Sequence, residues 1–210
     1  GFLFWSGIAF QTSGLVETTP SRSAFITCLS APLVPLVAWI AHRAPPSRRI
    51  LVAVLLAVAG LYLLTDPGRG GPNRGDLLTA VGAVLFAGHI VAAGAVTRRG
   101  AAIRLLTVQV AITAILAAVA APLVGIPRLE PTAALGAALA FLTLTAIGTF
   151  WFQLRAQRVI SAAQTGLIFT LEPVFASLTS WLAIGEHLSA TQWLGGGLVV
   201  VAMIVSARER

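Results

Sequence analysis

The chain has 210 residues, of which 57% are hydrophobic and 10% are charged, and its mean hydropathy is +0.91. These values exclude an ordinary water-soluble domain, in which the apolar fraction and the hydropathy are much lower. All of the formal positive charge comes from Arg, since the sequence contains no Lys, and the net charge is +7. The composition predicts an all-α polytopic membrane protein.

A membrane-spanning helix needs about 20 apolar residues to cross a hydrocarbon core of about 30 Å. The sequence contains seven apolar segments of this kind, and residues 1–16 have the composition of part of an eighth. Strands are not predicted, because the segments lack alternating polarity and are longer than membrane strands. In chain order, the predicted helices cover roughly 24–42, 49–65, 77–96, 102–124, 133–155, 162–184 and 190–206.

An internal repeat relates the two ends of the chain at a constant offset of 142 residues. Phe10 and Gln11 fall on Phe152 and Gln153 at this offset. Transporters that work by alternating access are often built from two related halves, so the repeat favours this class of membrane protein. The other matched pairs are Ile26 and Ile168, Leu29 and Leu171, Leu36 and Leu178, Trp39 and Trp181, Ala41 and Ala183, and Ser47 and Ser189.

The Arg residues are concentrated in alternate loops. The Arg-rich segments hold Arg43, Arg48, Arg49, Arg98, Arg99, Arg104, Arg155, Arg158, Arg208 and Arg210, whereas the intervening loops hold Arg22, Arg69, Arg74 and Arg128. The positive-inside rule predicts that the Arg-rich segments and the C-terminus are cytoplasmic. The loops near 17–22, 66–76, 128–132 and 185–189, which also carry Glu130 and Glu186, are then external. We interpret the charge as a topology signal with contacts to membrane lipids, and predict no nucleic-acid binding.

The predicted topology makes the repeat an inverted one. The loop at 43–49 is predicted to be cytoplasmic, whereas its repeat partner near 185–191 is predicted to be external. Inversion requires an odd number of helices in each unit, and residues 76–210 hold five predicted helices. A complete protein would therefore have five plus five helices. Because an initiator Met is also absent, we predict that the polypeptide lacks its first two helices and part of the third.

Two parts of the sequence resemble EamA domains. TTPSRSAFITCLSAPLVPLVAWI and VAVLLAVAGLYLL resemble the end of a first domain, and the stretch from GDLLTAVGAVLFAGHIV to LIFTLEPVFASLTSWLAIGEHLSATQWLGGGLVVVAMIV resembles a complete second one. The chain is thus similar, over nearly all of its length, to EamA-type transporters of the drug/metabolite transporter superfamily. LEPVF and GEHLS are the most specific stretches, although His187 stands where the family usually has Arg.

The resemblance implies a fold and a function. It implies ten helices in two inverted repeats and transport of small metabolites such as amino acids, nucleosides or amphipathic drugs. It divides the chain into the C-terminal part of a first repeat at 1–66, with helices 3–5, an external linker at 67–75, and a second repeat at 76–210, with helices 6–10.

Glu172 is the foremost candidate for a transport residue. It lies at the midpoint of its predicted helix, where a charged carboxyl costs roughly 3 kcal/mol on insertion scales, so it is not expected to face lipid. One interpretation is a partner for a substrate amine or a proton-coupling carboxyl. The alternative is a protonated carboxyl that bonds to a neighbouring helix and serves only packing.

Proline residues interrupt both repeat-related helices near the same depth. Pro173 follows Glu172 and removes one backbone donor, and Pro32 and Pro35 interrupt the partner helix. Paired interruptions of this kind in two halves of a transporter point to a site at the membrane midplane. Helical spacing puts Thr165 on the face of Glu172, and Ser30 on a polar stripe of the partner helix.

The remaining candidates carry less chemistry. His89 is predicted near the centre of its helix, where it either bonds to a substrate or to Glu172, or forms an ordinary interhelical hydrogen bond. Gln109 either lines an inner cavity or bonds to another helix. Phe10, Gln11, Phe152 and Gln153 are predicted near the membrane faces, where gating or packing is expected. The aromatic residues Trp151, Phe169 and Phe86 are predicted at greater depth, where they either wall an amphipathic cavity or pack.

The sequence lacks the signatures of an enzyme. Cys28 is the only cysteine, and the three His residues lie on different predicted elements, so neither a metal site nor a cofactor is predicted. We therefore expect a secondary transporter that exports small metabolites across a bacterial inner membrane. Coupling of this export to protons is left open, and so is assembly of the protein as a homodimer. The alternatives are a non-transporting membrane interaction or structural protein, an inactive truncated fragment, and an uncoupled facilitator.

Overall fold

The computed structural model describes residues 1–68, 71–98, 102–124, 132–185 and 187–208, and these ranges contain helices and no strand. The helices are α1 (Phe2–Leu15), α2 (Pro20–Cys28), α3 (Ser30–His42), α4 (Arg48–Thr65), α5 (Arg74–Thr97), α6 (Ala102–Val124), α7 (Ala133–Ala156), α8 (Ala162–Phe169), α9 (Glu172–Ile184) and α10 (Ala190–Ala207). Several residues used in the loop predictions lie outside these ranges, namely Arg69, Arg99, Arg128, Glu130, Glu186 and Arg210.

The seven predicted spans are confirmed. Within the described residues, seven helical segments are long and apolar enough to cross a membrane. The segment Pro20–His42 consists of α2 and α3, and the segment Ala162–Ala183 falls in α8 and α9, so two of the spans are interrupted. α1 has 14 residues and precedes the first of these spans.

The repeat found in the sequence recurs in the helix boundaries. α2 and α8 begin at Pro20 and Ala162, and α4 and α10 begin at Arg48 and Ala190, always at the offset of 142 residues. The residues that cap these helices correspond as well. Thr19, Ser47, Ser161 and Ser189 each accept a hydrogen bond from the backbone N–H three residues on. In both repeats, short hydroxyl side chains at corresponding positions therefore cap the N-termini of the corresponding helices.

α4 and α10, which are related by the repeat, pack against each other in antiparallel orientation. Arg49 at the start of α4 donates to the Arg208 carbonyl beyond the end of α10, at 3.0 Å. Gln192 near the start of α10 donates to the carbonyl of Leu64 at the end of α4, at 3.4 Å. Antiparallel packing of corresponding helices is the arrangement that an inverted repeat requires.

Small residues hold α4 and α10 together. Gly60 and Gly195 approach so closely that a Cβ atom on either would lie 2.7 Å from the carbonyl oxygen of the other. Ala53, Ala57 and Ala202 are fully buried in the same contact. Small residues allow such backbone approach between membrane helices, where lipid provides no hydrophobic drive for association.

α5 lies at the centre of the bundle and is packed by α1, α2, α3 and α8. A Cβ atom at Gly82 of α5 would lie 2.9 Å from the Gly7 carbonyl of α1, so these two helices are also in close contact. Val34 of α3 and Ala87 of α5 are fully buried in a shared apolar cluster. These contacts determine how each helix around α5 is rotated about its own axis, and this rotation brings the polar residues of the helices together.

An ion pair joins the first turn of α2 to the start of α5. Asp76 pairs with Arg22 and accepts further hydrogen bonds from the Thr18 hydroxyl at 2.6 Å and the Asn73 N–H at 3.1 Å. Asp76 is 7% exposed, and its bonds tie the loop at 17–22 to the loop before α5. The two loops that the Arg distribution groups on one side of the membrane therefore lie together at one end of the bundle.

Changing Asp76 to Asn is expected to destabilise the protein by about 2 kcal/mol, because it removes the charge that compensates a largely buried Arg22. Glu17→Gln is the matched control, since Glu17 pairs with Arg74 at 3.5 Å through exposed side chains. Exposed pairs contribute at most about 1 kcal/mol. Denaturant unfolding of the purified protein measures the free energy of unfolding of both variants. An equal loss of stability in the two would contradict the structural role of the Arg22–Asp76 pair.

Candidate functional site

A cavity of about 570 Å³ lies among α1, α2, α3, α5, α7, α8 and α9, within the size range of small-molecule sites. We call it the central cavity. Its lining is mainly apolar and aromatic, with a few polar side chains. The lining residues are Phe4, Ile8, Gln11, Ala24, Thr27, Cys28, Ser30, Ala31, Phe86, His89, Ile90, Thr149, Phe150, Gln153, Phe169, Glu172, Pro173 and Ala176.

The interruptions of the two broken spans both open onto the central cavity. Ser30 is the first residue of α3 and Glu172 is the first residue of α9, and the repeat offset relates them. Both side chains line the cavity. The sequence predicts paired interruptions from proline positions, and the helix bounds place the breaks within three residues of Pro32 and Pro173, whereas Pro35 lies inside α3.

The prolines also leave backbone acceptors at the cavity. Pro32 has no N–H to donate to the Cys28 carbonyl, and Pro173 has none for the Phe169 carbonyl. Cys28 and Phe169 both line the central cavity. Two helix ends that each lack one intrahelical backbone donor therefore lie at the same cavity. Pro32 and Pro35 themselves are buried and do not line it.

Among the described residues that line the central cavity, Glu172 is the only acidic one and none is Arg. Its side chain is exposed to this space. The ion pairs found in the described residues join Arg22 to Asp76 and Arg74 to Glu17, both away from the cavity. A carboxylate without a cationic partner at membrane depth is stabilised either by a proton or by a bound cation.

His89 and Gln153 bring unused hydrogen-bonding groups to the cavity. They are 7% and 6% exposed, and the Nε2 atoms of both lack a hydrogen-bond partner among the described residues. Buried polar atoms are nearly always bonded in native proteins, so each is available to a ligand or a water. The predicted bond between His89 and Glu172 is not formed through Nε2, although both residues line the same cavity.

Gln11 and Gln153, which the repeat offset relates, are predicted as gating or packing residues near the membrane faces. Both side chains line the central cavity, because α1 and α7 each form part of its wall. Their neighbours Phe10 and Phe152 point away and are 38% and 74% exposed. Adjacent residues on a helix face directions about 100° apart, so the cavity takes one residue of each Phe-Gln pair.

Other predicted site residues are found elsewhere. The Thr165 hydroxyl donates to the Ser161 carbonyl of its own helix at 3.0 Å and does not line the central cavity. Trp151 carries the Arg155 guanidinium over its ring at 5.3 Å. Gln109 lines a separate cavity between α6 and α7.

The lining residues that the sequence analysis does not identify include Phe4, Thr27 and Phe150. The Phe4 ring lies 4.8 Å from Phe150 and 5.5 Å from the His89 ring, centroid to centroid. Helical spacing is the signal that finds two of them, since Phe4 precedes Gln11 by seven residues and Phe150 precedes Gln153 by three.

Comparison with known proteins gives the cavity its context. The profile of the EamA-like transporter family matches residues 73–208. An uncharacterized transporter from Archaeoglobus fulgidus is 29% identical over 208 residues, covering 98% of this chain and 66% of that protein. A protein of known crystal structure shares the fold at 19% identity, with a TM-score of 0.81 over 98% of this chain and 75% of its own. The chain therefore belongs to the EamA-like transporter family and is a polytopic membrane protein.

Proposed function

We propose that the central cavity is the translocation site of a secondary transporter that exports small metabolites, such as amino acids or amphipathic compounds, by alternating access. The observation that carries this proposal is Glu172, a carboxyl at a helix interruption that has no ion-pair partner in the described part of the chain and lines a cavity of about 570 Å³. Whole-protein activity is part of the proposal, because the chain spans 66% of the length of its Archaeoglobus relative.

The lining chemistry favours an amphipathic solute with an amino group. Glu172 supplies the single formal charge, and His89 and Gln153 supply hydrogen-bonding groups without partners in the described part of the chain. The rings of Phe86 and Phe169 offer apolar contact and the negative ring faces that attract ammonium groups. A proton and a substrate amine would compete for Glu172, and this competition would couple export to the proton gradient.

Alternating access is supported by the repeat. The repeat-related helices α4 and α10 run antiparallel, and the interruptions at Leu29 and Leu171 meet at one cavity. Residues 1–66 and 76–210 would act as parts of two inverted units joined by the linker at 67–75. Movement of one unit against the other would open the cavity first to one side and then to the other.

The orientation follows from the Arg distribution. The end of the bundle where Arg49 meets the carbonyl of Arg208 would face the cytoplasm of a bacterial inner membrane. The end with the Arg22–Asp76 pair would face outward. Lipids would cover the apolar outer faces, and a homodimer is compatible with this arrangement.

Cys28 provides a direct test, because it is the only cysteine of the sequence and lines the central cavity. Efflux of a panel of amino acids and amphipathic amines is measured in cells, and Cys28 alkylation by N-ethylmaleimide is measured in membranes. A solute that is exported should slow the alkylation of Cys28 several-fold, since it occupies the same space.

The control carries Cys28→Ser together with Ala207→Cys at the exposed end of α10. Alkylation of this variant should not respond to the solute. An exported solute that leaves Cys28 alkylation unchanged would place the translocation site elsewhere, and export of no solute in the panel would argue against the proposed function.

A further inference from the structure

A second cavity of about 370 Å³ lies between α6 and α7, which we call the α6–α7 chamber. Its lining is mostly apolar and includes Val110, Ala114 and Leu142. None of the described residues that line it has an ionisable side chain. Charged groups are therefore not expected in it, because nothing there would compensate their loss of hydration.

The chamber shares a wall with the central cavity. Phe4 and Phe150 line both spaces, and their rings meet edge to face with centroids 4.8 Å apart. The His89 ring contacts both of them, at 5.5 Å and 6.1 Å between centroids. Two aromatic side chains thus form the wall that the two spaces share.

Two polar groups of the chamber have no partner in the described residues. These are the Gln109 Nε2 and Thr113 Oγ1 atoms, one helical turn apart on α6. Gln109 is 2% exposed, so bulk water does not satisfy its amide. By contrast, the Thr143 hydroxyl across the chamber donates to the Leu139 carbonyl at 2.7 Å. The free donor of Gln109 is suited to a hydrogen-bond acceptor on a bound molecule.

We infer that the α6–α7 chamber is a second subsite that binds the uncharged apolar part of the transported solute, an alkyl or aryl group with a hydrogen-bond acceptor. The charged end of the same solute stays in the central cavity, and Phe4 and Phe150 lie between the two parts. This inference rests on the proposed function for the charged end, whereas the chamber itself is defined independently of Glu172.

The test compares two homologous probe series, n-alkylamines and n-alkanols from butyl to decyl, by calorimetric titration of the protein in lipid nanodiscs, with empty nanodiscs subtracted. Each methylene that enters an apolar site should raise affinity about fourfold. Ala117→Leu fills the chamber, and Ala118→Leu is the matched control, because both residues are exposed on α6 and only Ala117 lines the chamber.

We expect Ala117→Leu to remove the gain in affinity of the longer probes in both series, by about tenfold or more, and to leave butylamine unchanged. Ala118→Leu should behave as the unmodified protein. The inference is overturned if Ala117→Leu leaves the gain intact, as it would for an alkyl chain that lies in the bilayer, or if Ala118→Leu removes the gain equally.

The two series separate this inference from the proposed function. Failure of butylamine to bind would count against the role of Glu172, while a length dependence of the alkanols that Ala117→Leu removes would still support the chamber. Alkanols without any length dependence would overturn the chamber whatever butylamine does.

Discussion

Replacing Gly195 with Ala is expected to destabilise the protein by about 2–3 kcal/mol, since overpacked buried contacts lose free energy on this scale. The added Cβ atom would lie 2.5 Å from the Leu64 nitrogen and 2.7 Å from the Gly60 carbonyl oxygen. These are backbone atoms, so relief requires that α4 and α10 separate. Separation would weaken the antiparallel contact on which the two-fold arrangement of the halves depends. Thermal unfolding in detergent is the measurement.

Gly197 is the control for this prediction. It lies two residues further along α10, and a Cβ atom there would meet nothing within 4 Å. Gly197→Ala should therefore leave stability unchanged or raise it by up to about 1 kcal/mol through better helix propensity. Opposite signs for the two variants would identify helix contact as the cause. A loss of the same size in both would mean that the α4–α10 contact does not have the described geometry.

Replacing Glu172 with Gln is expected to reduce transport at least about tenfold, in line with a loss of 1.4 kcal/mol or more of interaction with a cation. Gln keeps the size and hydrogen-bonding capacity of the side chain but carries no charge and takes up no proton. The side chain faces the central cavity and is exposed there, so little packing is lost. Transport per molecule is measured at matched membrane abundance.

Glu17→Gln serves as the control, because it removes a carboxyl that pairs with Arg74 away from the cavity. It should transport normally. A protonophore separates the remaining alternatives, since a proton-coupled exporter loses its concentrating power and an uncoupled facilitator does not. If Glu172→Gln lowers abundance but transport per molecule is normal, the carboxyl serves packing and the translocation chemistry lies with His89 and the amides.

Much of the fold is encoded locally. The length and polarity of each apolar run determine that it spans the membrane as a helix, which is why the seven predicted spans agree with the structure. Helix N-caps are encoded locally as well, since Ser47 and Ser189, which the repeat offset relates, each cap the start of a helix. Family membership follows from the same residues, because LEPVF and GEHLS lie within the stretch that matches the EamA-like profile.

The composition of the candidate site depends on rotation about each helix axis. Depth along the predicted spans singles out Glu172 and His89, because charged or polar side chains at the centre of a span avoid lipid. Both residues line the central cavity. Depth does not distinguish Gln11 from Phe10, or Thr165 from its neighbours. The direction in which each points is decided by contacts with other helices.

Sequence by itself therefore determined the class of protein, the number of spans, the repeat and the acidic residue at its interruption. Only the tertiary structure decided that Gln109 belongs to the α6–α7 chamber and that Phe4 and Phe150 separate it from the central cavity. The physical reason is that the hydropathy and the capping residues of a segment determine where that one helix lies in the membrane and where it begins and ends. Helix rotation is set by close contacts such as Gly60 with Gly195, between residues far apart in the chain.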